Sequence, residues 1–488
     1  MKKYLPYAFL IIAVILASSN LIQKINYSPD DTYIYMQYAR NLASGNGFAF
    51  NAGEPSYGIT SPVWSVILSA VYLMGQDGYW FAKYLDLFFL IMSVFMFYKL
   101  AHAVFSKNYE EPEIIKTLTL LATSVFLLNS WLIRWSFTGM ETSLAVFIVI
   151  SVFFLLFKEQ FTFAFVLLGV LFLVRPESFV LFFLAVLFLL FRKTPLKKII
   201  PGLLIYAAIV SSFLLYAKTT FGTIFPNTTL GKATFSFGLS IYIEQLKRIF
   251  QTLALSNIIE LILSAVFIFL LLKKRKWDAS LLMLLWPAGL VFLYVITDAD
   301  IISRYLLIII PFIIITGISV IGNVKSKYAV ISLIVFILVS FQSQMVFYKY
   351  VKPHTDNFSY GVKNCFMEIG KWLSENTPKD SKILVNDVGA IGYYSNRYII
   401  DAAALVNRDL ELNKRIMNTP VKERENTENL LRFVKADYLV QRDEQRGSSY
   451  VPNAIYKLDF ILEREFPSLG ITDPTPRYYK IYKVTNTN

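Results

Sequence analysis

Long apolar runs constrain this chain more than any other feature: Leu5–Leu21, Leu118–Leu128, Ser143–Phe157, Val180–Phe191, Ile258–Leu272 and Leu306–Val320. A helix rises ~1.5 Å per residue and must cross about 30 Å of hydrocarbon, so roughly 20 apolar residues make one span. Several of these runs, with their flanks, reach that length. Only 17% of the 488 residues are charged, against about 25% in soluble domains. The sequence therefore specifies an integral membrane protein.

Spanning helices are expected near residues 5–22, 79–101, 117–133, 140–157, 161–174, 178–191, 199–216, 256–272, 279–296, 304–321 and 328–346. Met1-Lys2-Lys3 ahead of the first run has the form of a signal peptide, but the segment is read as a retained anchor. With the N-terminus inside, the basic residues of the short loops (Lys107, Lys116, Lys158, Arg192-Lys193, Lys197-Lys198, Lys273-Lys274-Arg275-Lys276, Lys325 and Lys327) all fall on the cytoplasmic side. That is the positive-inside pattern. It holds only if Ser61–Gly75 does not cross; its length suits an interfacial or half-inserted helix. The net charge of +13 is concentrated here, because 27 of the 47 Lys and Arg but 16 of the 34 Asp and Glu lie in residues 1–349. The surplus is a topology signal and excludes a nucleic-acid partner.

Residues 350–488 change character. Phe366–Asn376 has helical spacing, while Lys382–Val385, Arg397–Ile400, Ala436–Val440 and Tyr478–Val484 have strand character, with turns expected at Pro378, Gly389 and Gly392. The expected fold is a polytopic α-helical membrane domain of about eleven spans, residues 1–349 with a first outer loop at 23–78, followed by an extracytoplasmic α/β domain at 350–488. One cysteine, Cys365, excludes intramolecular disulfides, and His102 and His354 are too few for a histidine metal site.

On this topology the outer face gathers Asp30-Asp31, Thr138-Gly139-Met140-Glu141-Thr142, Arg175-Pro176-Glu177, Phe225-Pro226-Asn227-Thr228 through Lys232, and Ser303-Arg304-Tyr305. Ionisable groups at membrane depth usually face a cavity or one another. Each also has a plain structural reading. Asp30-Asp31 can cap an amphipathic helix, Glu141 can sit at a positive helix end, Arg175 can pair locally with Glu177, and Arg304 can snorkel. Jointly they fit glycosyl transfer from a polyprenyl-phosphate sugar. That chemistry needs a carboxylate base for the acceptor hydroxyl, here Asp30 or Asp31. It also needs cations at the departing phosphate, for which Arg304, Lys232, Arg175 and Lys218 are candidates.

The stretch Asp30-Asp31-Thr32-Tyr33-Ile34-Tyr35-Met36-Gln37-Tyr38-Ala39-Arg40-Asn41-Leu42-Ala43-Ser44-Gly45-Asn46-Gly47, continuing through Phe50-Asn51-Ala52-Gly53-Glu54 and Tyr57-Gly58-Ile59-Thr60-Ser61-Pro62-Val63-Trp64, resembles the first outer loop of GT-C superfamily membrane glycosyltransferases. The likeness is to enzymes related to protein O-mannosyltransferases, aminoarabinose transferases and terminal arabinofuranosyltransferases. The blocks at 138–142, 175–177, 225–228 and 304–305 are similar to later blocks in the same relatives, so the resemblance covers about residues 1–320. It implies an inverting transfer at the outer face of the inner membrane. Asp30 would be the base, Asp31 would orient the acceptor or, with Asp30, hold a divalent cation, and Glu141 would be a second outer-loop acid. Tyr33, Arg40, Tyr57, Glu177, Asn227 and Tyr305, within or beside these blocks, are assigned to substrate positioning. The region 386–394 is similar to an acceptor-side or structural element of some relatives. The competing readings are a transporter or flippase of lipid-linked sugars, a non-enzymatic envelope-assembly protein, and an O-antigen ligase or polymerase.

Overall fold

A computed structural model describes residues 4–486 except 228–237, 275–278, 325, 420–426, 433, 448–455 and 472. Its first ten helices are α1 (Leu5–Gln23), α2 (Asp30–Ala43), α3 (Pro62–Leu73), α4 (Gly78–Asn108), α5 (Pro112–Leu128), α6 (Ser130–Trp135), α7 (Thr142–Phe157), α8 (Phe161–Val174), α9 (Phe179–Phe191) and α10 (Leu196–Phe221). Pro6, Pro62 and Pro112 stand in the first turns of α1, α3 and α5, where a fixed φ helps and the missing N–H costs nothing. Gly222, at φ 76°, ends α10 in the left-handed conformation glycine adopts freely.

Each of the eleven apolar stretches marked in the sequence carries helix. Among the described residues five helices are long and apolar enough to cross a bilayer: Leu5–Gln23, Gly78–Asn108, Leu196–Phe221, Leu239–Lys273 and Tyr328–Asn376. Others, among them Thr142–Phe157, Phe161–Val174 and Pro176–Phe191, are apolar but shorter. The expected single helix over 117–133 is broken, because Asn129 leaves helical geometry and its side chain caps α6 by accepting from Leu132 N at 3.0 Å. Ile11, Ile15, Leu187, Phe191, Leu215, Phe269, Phe292 and Phe341 are exposed around the bundle, an apolar belt that water does not tolerate and lipid does. The 12-residue α3 is about 18 Å long, short of a span. It buries Trp64 and leaves Val66, Leu73 and Met74 exposed.

Along α7 the acid–arginine blocks and a basic loop lie at opposite ends. α7 begins at Thr142, beside the acid–arginine blocks, and ends 16 residues later at basic Lys158. At the basic end Tyr109 Oη donates to Ser319 O, and Glu159 lies 4.0 Å from Arg192 and 3.9 Å from Lys198.

The last long helix runs unbroken from Tyr328 to Asn376 through two π-helical segments, Phe347–Val351 and Val362–Phe366. It carries the bundle directly into the C-terminal fold, so the expected division at 349/350 falls inside one rod. Beyond it a five-stranded mixed sheet has the order β2-β1-β3-β5-β4, with β1 (Lys382–Val385), β2 (Tyr398–Asp401), β3 (Tyr438–Asp443), β4 (Tyr456–Phe466) and β5 (Arg477–Asn486). β1 pairs parallel with β2 and β3, while β5 pairs antiparallel with β3 and β4. The sequence pattern missed β4, an edge strand whose Lys457, Asp459, Glu463, Arg464 and Glu465 mask its alternation. It also placed turns at Gly389 and Gly392, which instead lie in the helix Gly389–Ser395. Both glycines are there for close approach: a Cβ on Gly392 would lie 2.7 Å from the Phe50 ring.

Candidate active site

Pro29 occupies the N-cap of α2, and Asp30 and Asp31 form its first turn. The capping reading of Asp30 therefore fails, since its side chain leaves its own helix. Asp30 Oδ2 accepts from Gly389 N and Oδ1 from Ala390 N, both at 2.8 Å. Burial, then the neighbouring Asp387 and Asp31 carboxylates, push the Asp30 carboxyl up to about 7 against the pull of those two amides. Asp387 is itself held by Tyr479 Oη at 2.6 Å and Arg442 at 3.5 Å.

Asp31 pairs with Arg304 at 2.9 Å. Arg304 does not snorkel: it is buried, with its guanidinium 5.4 Å from the Trp135 ring and 5.3 Å from the Tyr305 ring. Arg175 also lies against the Tyr305 ring, 5.4 Å away, and binds Glu141 at 2.9 Å with both side chains buried. Glu177 completes the line, 3.7 Å from Arg175 and accepting from Tyr294 Oη at 3.3 Å. Asp31, Arg304, Tyr305, Arg175, Glu141 and Glu177 thus form one continuous cluster assembled from four separate segments. Glu141 Oε2 and Arg304 Nε are buried and have no hydrogen-bond partner among the described residues.

Other sequence-selected residues stand apart. Lys218 is exposed and donates to Gly222 O at 3.1 Å, closing the end of α10. Tyr57 stacks on Phe221 at 5.1 Å. Asn227 N donates to Tyr57 O at 2.8 Å, and its side chain donates to Leu405 O at 3.0 Å and Asn407 O at 3.2 Å. Tyr33 and Arg40 face the C-terminal domain: Tyr33 packs among Tyr79, Tyr393 and Tyr394, and Arg40 lies 4.5 Å over the Tyr393 ring. Lys232 lies outside the described residues. An open cleft of about 460 Å³, lined by Glu54, Tyr398, Ile400, Asn407, Arg408, Asp409 and Leu412, contains none of the candidate residues.

Of the acid pair offered for a divalent cation, Asp30 accepts one amide proton on each oxygen and Asp31 pairs with the Arg304 guanidinium. Among the described residues no group of three or more His, Cys, Asp or Glu stands together as a metal site.

Several buried ionisable groups escaped the sequence reading. Asp86 Oδ2 accepts from Thr138 N (2.8 Å), Thr138 Oγ1 (3.1 Å) and Gly139 N (3.2 Å). Lys24 Nζ donates to Ser136 O, Thr32 Oγ1 to Thr138 O at 3.1 Å, and Trp64 Nε1 to Gly139 O at 2.9 Å. Lys83 Nζ donates to Tyr27 O at 2.7 Å, just ahead of the acid pair. Arg134 reaches Ser303 Oγ at 3.3 Å beside Arg304. Their signal was present: charges inside apolar runs are costly and therefore informative.

Comparison with known proteins agrees with this architecture. A family model described as a domain of unknown function, DUF8728, matches residues 356–482. No curated protein matches the chain. Among solved structures, ArnT from Cupriavidus metallidurans bound to undecaprenyl phosphate superimposes with a TM-score of 0.53 at 10% identity, covering 81% of this chain and 86% of that one. Its apo state gives 0.55 at 9% identity over the same shares. Archaeal oligosaccharyltransferase AglB from Archaeoglobus fulgidus, in complex with an inhibitory peptide and a dolichol-phosphate, gives 0.56 at 10% identity, covering 90% of this chain and 69% of that one. The chain shares its fold with ArnT and AglB over most of its length. At these identities the likeness shows fold alone.

Proposed function

We propose that the chain is a glycosyltransferase that moves a sugar from a polyprenyl-phosphate donor to an extracytoplasmic acceptor with inversion, Asp30 acting as base. In this reading the helices make eleven crossings of the inner membrane, α3 lies in the interface, and the site and the domain at 350–488 face outward. The acceptor hydroxyl gives its proton to the Asp30 carboxylate as its oxygen attacks the anomeric carbon. The carbon–oxygen bond to phosphate breaks, and the phosphate leaves with the electron pair. Arg304 and Arg175, both packed against Tyr305, stabilise that charge. Asp31 and Glu141 hold the two guanidinium groups in place before the phosphate arrives.

The observation that carries this reading is the continuous line from the acid pair through Arg304 and Tyr305 to Arg175 and Glu141. The lipid phosphates named with ArnT and AglB are consistent with such a site. Asp30→Asn preserves volume and removes the base. In membranes supplied with radiolabelled polyprenyl-phosphate sugar extracted from the source cells, its turnover is expected to fall about 10²-fold or more with fold retained. Unchanged turnover refutes Asp30 as base.

A second reading, transport of the same lipid-linked sugar, draws on one observation. The helix Leu239–Lys274 loses helical geometry at Asn257, and Glu260 is buried one turn further on, the pattern of a broken transporter helix. Glu260→Gln separates the two: transport predicts loss of lipid translocation in vesicles, whereas the transferase reading predicts turnover within about threefold of the parent, because Glu260 touches none of the reacting atoms.

A further inference from the structure

The C-terminal domain is bolted to the first outer loop by contacts that surround Asp30. The Asn51 side chain exchanges two hydrogen bonds with the backbone of Ile399, at 2.8 and 2.9 Å. Arg40 Nη2 donates to Tyr393 O at 3.2 Å, Tyr72 and Tyr393 hydroxyls meet at 3.0 Å, and Tyr398 Oη donates to Glu54 at 2.7 Å. At the centre of this interface the two oxygens of Asp30 each receive one peptide N–H, from Gly389 and Ala390. Position 389 has no room for a side chain, since a Cβ there would lie 2.1 Å from Asp30 O and 2.6 Å from Asp30 Oδ2.

We propose that the C-terminal domain completes the active site, the Gly389 and Ala390 amides being positioning groups that lock the Asp30 carboxylate in one orientation towards the acceptor hydroxyl. This rests on the reading of Asp30 as base. Each carboxylate oxygen has two acceptor sites. The two amides take one site on each oxygen and restrain rotation about the Cβ–Cγ bond, leaving the others to receive a proton. A base aimed in advance avoids the reorientation that costs an unheld carboxylate rate, and a misplacement near 1 Å costs as much as ~10²-fold. The charged and titratable groups around Asp30 are Asp387 from the loop before the helix Gly389–Ser395, with Asp31 and Tyr33 on α2 itself. The amides are the groups that favour its ionised form.

The test uses the full-length chain in nanodiscs and follows the Asp30 carboxyl by infrared titration, its band assigned by its disappearance in Asp30→Asn. Gly389→Ala keeps a φ that alanine adopts, but its methyl group meets the Asp30 backbone oxygen as well as the carboxylate, so the chain must shift and Asp30 parts from both donors. The midpoint is expected to move to higher pH, with kcat lowered about tenfold or more and KM for the polyprenyl-phosphate sugar within about twofold. Ala390→Pro deletes one donor in a helical first turn that tolerates proline and is expected to move the midpoint the same way. Gly392→Ala loosens the same interface at Phe50 without touching Asp30 and is expected to leave the midpoint in place. A midpoint unmoved in Gly389→Ala and Ala390→Pro overturns the proposal, as does an equal movement in Gly392→Ala. Retained turnover in Asp30→Asn would instead refute the base assignment itself.

Discussion

Asp30 has two sets of neighbours with opposite effects on its charge. Burial and the carboxylates of Asp387 and Asp31 raise its proton affinity, while the two amides lower it, and the balance rests at about 7. A base must be ionised to act, so the proposed activity rises with pH through about 7 and is lost below it. An ordinary aspartate would keep it to about pH 4. Asp387→Asn removes one raising charge, so the acid limb of kcat/KM is expected to move to lower pH; a limb that stays put or rises contradicts the electrostatics. Arg175 gives a second prediction at this scale. Its partner Glu141 is almost wholly enclosed, and removing one member of a buried pair strands the other. Arg175→Met is expected to destabilise the protein by roughly 3–5 kcal/mol, read as a lowered unfolding temperature in detergent. The sequence supplied these residue types; their pairings, such as Asp31 with Arg304 across 273 positions, it did not contain.

Among the elements, the turn at 136–139 is the most heavily held. Lys24 at the end of α1, Thr32 of α2, Trp64 of α3 and Asp86 of α4 all bond to its backbone. Gly139 sits at φ 85°, and a Cβ there would come 2.8 Å from Thr32 Cγ2, so the turn needs glycine for both conformation and contact. The turn delivers Glu141 to Arg175, which makes Asp86 a positioning residue at one remove. Asp86→Ala leaves the Thr138 and Gly139 amides buried and unpaired, at a cost of about 1–3 kcal/mol for each. The expected result is a lowered unfolding temperature with a fall in kcat, and a variant as stable and active as the parent argues against this role. The membrane helices were legible from apolar runs alone. The break at Asn129 was not, because an asparagine in an apolar run reads equally as a tolerated polar residue or a cap until its partner Leu132 N is seen.

For the whole molecule, the continuous rod Tyr328–Asn376 and the loop contacts join bundle and C-terminal domain, with one hydrophobic core running through both and a second, around Leu384, Leu430 and Leu439, inside the C-terminal domain. The proposed orientation has a direct test. After Cys365, which is buried, is replaced by alanine, a cysteine at exposed Lys414 is expected to react with a membrane-impermeant maleimide applied from the outer face. One at exposed Lys197 should react only after permeabilisation. The reverse labelling would place the acid pair in the cytoplasm and end the transferase reading.

The sequence by itself determined that the chain is a helical membrane protein, where its apolar helices run, and that strands follow them in the C-terminal part. These are local properties, set by runs of apolar residues and by the cost of exposing backbone and charge to lipid. Only the tertiary structure decided which charges meet, that Lys218 stays outside the cluster, that Asp86 and Arg134 come close to it, and that the base candidate is gripped from residue 389. Those pairings depend on helices distant in the chain packing side by side, and on a 359-residue separation that no local pattern encodes.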